Sequence, residues 1–174
     1  MKLFSQIFLI SLFLCSCAHH QSSDNKKITA RFIQSGEYIA TTMQKKMYSD
    51  AASVKGETVR ANDLVPESIK WVSDDHKIKV KIGTRFGVMY QIISPHPNQP
   101  IELRNIQKRP LMIKNGKANT GSEIISYVYP WENNGITLDG YSIETPAELV
   151  EGRWIFEVWH DNDLLIIQEF TTEI

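Results

Sequence analysis

The chain has 174 residues and two cysteines, Cys15 and Cys17, both near its start. Beyond Cys17 there is no thiol, so that part holds no internal disulfide and no thiolate metal site. A surplus of charge is also missing. Nineteen basic residues against 20 acidic ones leave a net charge of −1. A nucleic-acid binder normally presents a basic face, and this balance argues against that class. A membrane-crossing helix needs roughly 20 apolar residues. The N-terminal apolar run spans only about Leu3 to Leu14 and is interrupted by Ser5, Gln6 and Ser11. No serine lies in a Gly-x-Ser-x-Gly elbow, which removes the commonest hydrolase signature. The chain shows no internal repeat and no low-complexity tract.

What is present begins with MKLFSQIFLISLFLCSC. One basic residue, an apolar run and then small residues is the order of a cleaved signal. The stretch Leu14-Cys15-Ser16-Cys17 resembles the lipobox of a bacterial lipoprotein signal. A peptidase pocket needs a small residue before the cut, so Ser16 selects Cys17, whereas cutting at Cys15 would place bulky Leu14 there. The expectation is a signal peptide over residues 1–16 and lipidation at Cys17. Resemblance to lipoproteins implies three acyl chains, palmitate-like, on that cysteine. Stable tethering takes at least two membrane signals, and three chains meet that need. Ala18 stands where an aspartate favours retention at the inner membrane. The expected location is therefore the cell envelope, lipid-anchored at the outer membrane and facing the periplasm.

Cleavage leaves about 158 residues, and losing Lys2 takes the net charge to −2. That length suits one domain, large enough for its core to hold it together without disulfides. Residues 17–27 include AHHQSSDNKK, polar and without period, and read as a tether. About 10 flexible residues span roughly 17 Å. His19 and His20 read as solvated linker rather than a metal site, since no partner ligands stand in register.

Residues 28–174 read as β. ITARFIQSGEYIA, residues 28–40, predicts a first strand broken near Gly36. The segment 41–52 has weak helical character and reads equally as edge strand or loop. The clearest period lies at 78–92, where Ile78, Val80, Ile82, Phe86, Val88, Tyr90 and Ile92 share one parity. Period two means one buried and one wet face. Such a run exceeds a usual strand, so Gly83 is expected to mark a bulge or break. Three prolines in residues 94–100 make a loop. Ile101 and Leu103 open a strand that Pro110 is expected to stop. Asn115-Gly116 and Asn133-Asn134-Gly135 supply turns on either side of a strand at Ile124 to Tyr129. A weaker strand covers Ile136 to Ile143. A hairpin turning at Asp161-Asn162-Asp163 closes the chain. The expectation is all-β, an antiparallel sandwich of about seven strands behind the signal segment.

Three blocks carry a family resemblance: IGTRFGVMYQI at 82–92, AELVEGRWIFEVW at 147–159, and Gly36-Glu37-Tyr38. Over roughly residues 30–172 the chain resembles the domain-of-unknown-function-3859 family of bacterial secreted or envelope domains. Many relatives place proline where this chain has Glu151. The resemblance implies an immunoglobulin-like sandwich and no catalytic residues to carry over.

A nucleophile needs an adjacent base held by a third group, and no such set is visible. His76 follows Asp74-Asp75, and His160 precedes Asp161 and Asp163. Both clusters sit at predicted turns, where Asp caps backbone groups. Glu144, Glu148 and Glu151 read as solvated rim. The candidate contact surface is Arg85, pointing away from the core, with Trp131 and Trp159. Exposed aromatics on a sandwich suit a glycan or protein partner. No metal, no cofactor and no catalytic residue is assigned. The expected function is a non-catalytic binding or accessory module, tied to membrane through its lipid and contacting an envelope protein or glycan. The alternative is a periplasmic polymer-acting hydrolase using the Asp/His turns. A third reading is support of another protein by strand addition at an open edge.

Overall fold

The computed structural model describes residues 27–47, 62–114 and 116–174, without the side chains of 41–47, 62–68 and 114. The signal segment, Cys17, the tether to residue 26 and the end of the 41–52 segment lie outside the described residues.

The strands are β1 (Thr29–Met47), β2 (Asn62–Ser73), β3 (Lys77–Lys79), β4 (Arg85–Ile93), β5 (Ile101–Lys114), β6 (Lys117–Val128), β7 (Ile136–Ser142), β8 (Gly152–His160) and β9 (Asp163–Glu173). They form a four-stranded sheet in the order β2-β1-β4-β7 and a five-stranded sheet in the order β3-β9-β8-β5-β6. The architecture is an all-β sandwich. The pairs are antiparallel except β3 with β9, which is parallel.

The alternation at 78–92 becomes one face of the core. Phe86, Val88, Tyr90 and Ile92 are buried, as are Ile78 and Val80. Ile82 shares their parity yet is 56% exposed, because it lies between the strands rather than in one. Across the interior, β8 contributes Trp154, Phe156 and Val158, and β9 contributes Ile166 and Phe170. Phe86 sits at the centre, with its ring 5.2 Å from Trp154, 5.9 Å from Phe156 and 5.3 Å from Phe170. Each fully buried side chain of this size contributes about 1.5–3 kcal/mol, and aromatic pairs add about 0.5–1.5. Trp154 also donates from Nε1 to Thr172 Oγ1 at 3.1 Å, which satisfies its one polar atom in the core.

Three sequence expectations change. Nine strands are found among the described residues, not about seven. The additions are β2, whose sequence has no clear period and includes Pro66, and β3, only three residues long. Proline is tolerated there because β2 is an edge strand. The first strand does not break at Gly36 but runs on to Met47. Gly36 instead has φ 139°, and the register with β2 shifts just after it. Pro110 does not end β5. Pairing with β6 lapses between Lys108 and Met112 and then resumes. A bulge absorbs the missing N–H.

The register sorts the connections into two ends. Thr29 faces Ile93, Gln91 faces Ile136, Ile101 faces Val128 and His160 faces Asp163. One end therefore holds the chain entry at Lys27, the loops 94–100 and 129–135, and the β8–β9 turn. The other holds residues 80–84, the β5–β6 turn, residues 143–151 and the C-terminus.

Candidate functional site

Arg85, Trp131 and Trp159 do not converge. Arg85 opens β4 opposite Ser142, at the end away from the chain entry. It is half-buried, and its charge acts on Tyr38. Burial pushes the Tyr38 hydroxyl up to about 12 despite the opposing pull of Arg85. Trp131 lies at the entry end, in the loop between β6 and β7, and is 50% exposed. Its ring meets Tyr129 edge-on at 5.1 Å.

Trp159 is near the entry end but on the outer face of the five-stranded sheet, opposite Arg104 in register. Alternation requires this, since Trp154 points inward. Its indole is engaged on two sides. Nε1 donates to Glu157 Oε2 at 3.0 Å, and the Arg104 guanidinium lies over the ring, 5.5 Å from its centroid. Arg104 also approaches Glu123 at 3.8 Å, and Lys108 pairs with Glu157. The hydrogen bond from Lys108 holds the Glu157 carboxyl below the usual carboxylate range. Glu157 is buried beneath these partners. The partners cover the carboxylate from outside, so this is a knitted sheet surface rather than an open contact site.

The two Asp/His turns sit at opposite ends of β9. His76 O accepts from Thr171 N, whereas His160 faces Asp163. Eight residues of strand separate those positions, about 26 Å. His160 Nδ1 contacts Glu102 O at 2.9 Å. Asp75 accepts from Lys77 N, the turn-capping role that Asp favours. Among the described residues no three His, Cys, Asp or Glu side chains group as a metal site.

The structure makes one pair that the sequence did not reveal. Ser35 Oγ lies 2.8 Å from His76 Nε2 and 3.1 Å from Gln168 Oε1. A serine beside a histidine has the composition of a nucleophile and its base. Here Ser35 is only 3% exposed, on the inner side of β1. His76 packs edge-on against Phe170, 5.5 Å away, and its nitrogens meet Gln168 rather than an acid. The trio joins the first sheet to β9 of the second. No alternation or motif signals it, because its members lie 41 and 133 residues apart.

Two more polar groups lie between the sheets. Gln107 Nε2 donates to Asp139 Oδ1 at 2.8 Å. Asp139 Oδ2 is buried and finds no partner among the described residues. Burial pushes this carboxyl up to about 6, against the hydrogen bonds from Gln107 and the Gly140 backbone. Glu148 was expected at a solvated rim and is buried instead. It accepts from Glu144 N, Thr145 N and Tyr141 Oη, at 2.7, 2.9 and 3.0 Å. Thr145 and Glu148 stand at capping-box spacing with Pro146 between them, and the half in which Glu148 accepts from Thr145 N is made. That spacing was the legible signal in the sequence.

An immunoglobulin-like protein from Pseudomonas aeruginosa has a similar structure, with a TM-score of 0.60 at 16% identity. The likeness covers 86% of this chain and 99% of that one. An alkylpurine DNA glycosylase from Pseudomonas fluorescens, bound to DNA with an abasic-site analog, aligns over 57% of this chain and 28% of its own. Its TM-score of 0.34, at 14% identity, is too low to argue from. No family model and no curated protein matches the chain. At this identity the first likeness establishes an immunoglobulin-like fold and no activity.

Proposed function

We propose that this chain is a lipid-anchored, non-catalytic module of the bacterial cell envelope, whose immunoglobulin-like domain contacts another envelope component. One observation carries the non-catalytic reading. Ser35 and His76 have the composition of a nucleophile and base, but the serine is walled in and its bonds join the sheets. The anchor reading is supported by Leu14-Cys15-Ser16-Cys17 and the polar residues after it. The resemblance to the domain-of-unknown-function-3859 family belongs to the same reading, as does an outer-membrane location facing the periplasm. The partner class is an envelope protein or glycan.

Two measurements test this. Intact-mass analysis of protein purified from membranes should find an acylated N-terminal cysteine, lost in Cys17→Ser. An unmodified terminus overturns the anchor. Incubating the purified protein with peptidoglycan should release no soluble fragments. Fragments that disappear with alanine at His160, Asp161 and Asp163 would establish the hydrolase instead.

A further inference from the structure

We propose that the chain-entry end of the sandwich rests on the lipid surface, with Trp131, Ile93 and Leu164 seated among the headgroups. This rests on the Cys17 anchor proposed above. The geometry of the tether is the first argument. Lys27 is fastened at this end by an ion pair to Asp163 at 2.7 Å. Only nine residues lie between Cys17 and Lys27. Ten residues of chain reach at most roughly 35 Å even when fully extended. The nine residues of β8 extend about 30 Å. The entry end is thus the one tied to the anchor and kept at high effective concentration at the bilayer.

Chemistry is the second argument. Trp131 at 50%, Ile93 at 48% and Leu164 at 43% stay open at this end; the far end also exposes Ile82, Leu111, Ile113 and Ile174, so the tether and the aromatic pair, not apolar exposure alone, select this end. Trp131 stands beside Tyr129, and Trp and Tyr are the residues that settle at a membrane–water interface. Residues 94–100, SPHPNQP, hold no acid, lysine or arginine.

The loop that presents Trp131 has a preset shape. Glu132 N donates to Tyr129 O, and Gly135 N donates to Glu132 O, both at 2.8 Å. Gln91 Nε2 donates to Asn134 O at 2.7 Å. Asn133, Asn134 and Gly135 are all left-handed, with φ of 48°, 54° and 70°. A Cβ on Gly135 would come within 2.6 Å of Ile92 O, so only glycine fits there. Asparagine and glycine are the residues that accept these left-handed angles most readily. The indole is thus held on a fixed mount.

Charge selects the kind of surface. Charges of both signs are mixed at this end, Glu102, Glu132 and Asp161 with Arg31 and His160, and Lys27 is paired with Asp163, so no basic cluster stands ready for anionic lipid. The contact is therefore apolar, suits zwitterionic headgroups and is insensitive to salt.

The test uses the full acylated protein in phosphatidylcholine–phosphatidylethanolamine vesicles whose acyl chains carry bromine, which quenches tryptophan on contact. Flotation with the vesicles reports the anchor. The quenched fraction lost in Trp131→Phe reports the docked end. Flotation with quenching that falls in Trp131→Phe, and also in Ile93→Ser with Trp131 intact, supports the proposal. Unchanged quenching at high salt supports it too. Flotation with no Trp131-dependent quenching overturns the docking and leaves the anchor standing. Quenching abolished by salt overturns the apolar contact. Failure to float, with an unacylated terminus, removes anchor and docking together.

Discussion

Asp139 shows how one buried carboxyl gives a whole domain a pH response. Its folded pKa of about 6 lies above the ordinary 3.8, so the fold prefers the protonated form. The resulting contribution is fully present below about pH 4 and is lost as pH rises through 6. The difference amounts to about 3 kcal/mol. Urea unfolding at pH 4 and pH 8 should show that loss in the native protein. Asp139→Asn, which keeps an acceptor for Gln107, should flatten the trend. Equal slopes in the two proteins would contradict the burial argument. The Ser35 trio is a second residue-scale case. Ser35→Ala removes one partner of His76 and of Gln168, and should cost about 1 kcal/mol, read as a lower denaturant midpoint at unchanged slope. These groups were not legible in the sequence. Serine in a strand and aspartate near a glycine are common locally, and only the partners that folding delivers give them a role.

Elements were partly legible, and the failures share a cause. Period two at 78–92 located a core face, because strict alternation has one physical meaning. Strand β2 was invisible, since an edge strand needs no continuous apolar face and admits proline. The continuation of β1 past Gly36 was also hidden. A glycine at φ 139° looks like a break in sequence, yet here it lets β2 approach. A Cβ there would fall 2.0 Å from Ser73 O. Gly36→Ala should therefore destabilise by at least about 2 kcal/mol and loosen β2 first. Hydrogen exchange at Tyr38 to Ala40, which pair with Trp71 to Ile69, should rise before exchange in β8 does. Uniform exchange across both strands would argue against a local role for the glycine.

Across the whole molecule, Trp154 and Trp131 mark the contrast between core and surface. Trp154 is fully buried among Phe86, Tyr141 and Thr172. Trp154→Ala should cost about 3–5 kcal/mol. Trp131→Ala, at the exposed end, should change stability by no more than about 0.5 kcal/mol. Thermal melting of both variants checks the contrast, and a large loss in Trp131→Ala would place that ring in the core instead. The same contrast separates the two kinds of role proposed here. A side chain kept open at no gain in stability is available for contact, whereas a buried one is committed to the fold.

Residue order along the chain was enough to establish the β class, the main core faces and the turns at Gly116 and Asn133 to Gly135. Those are local matters, settled by the alternation of two faces and by which residues accept positive φ. Folding alone decided which ends the loops share, that Arg85 and Trp131 stand apart, that Glu148 is buried and that Ser35 meets His76. Such outcomes depend on strand pairing between segments far apart in the chain, and that pairing is set by how two twisted sheets fill one common core.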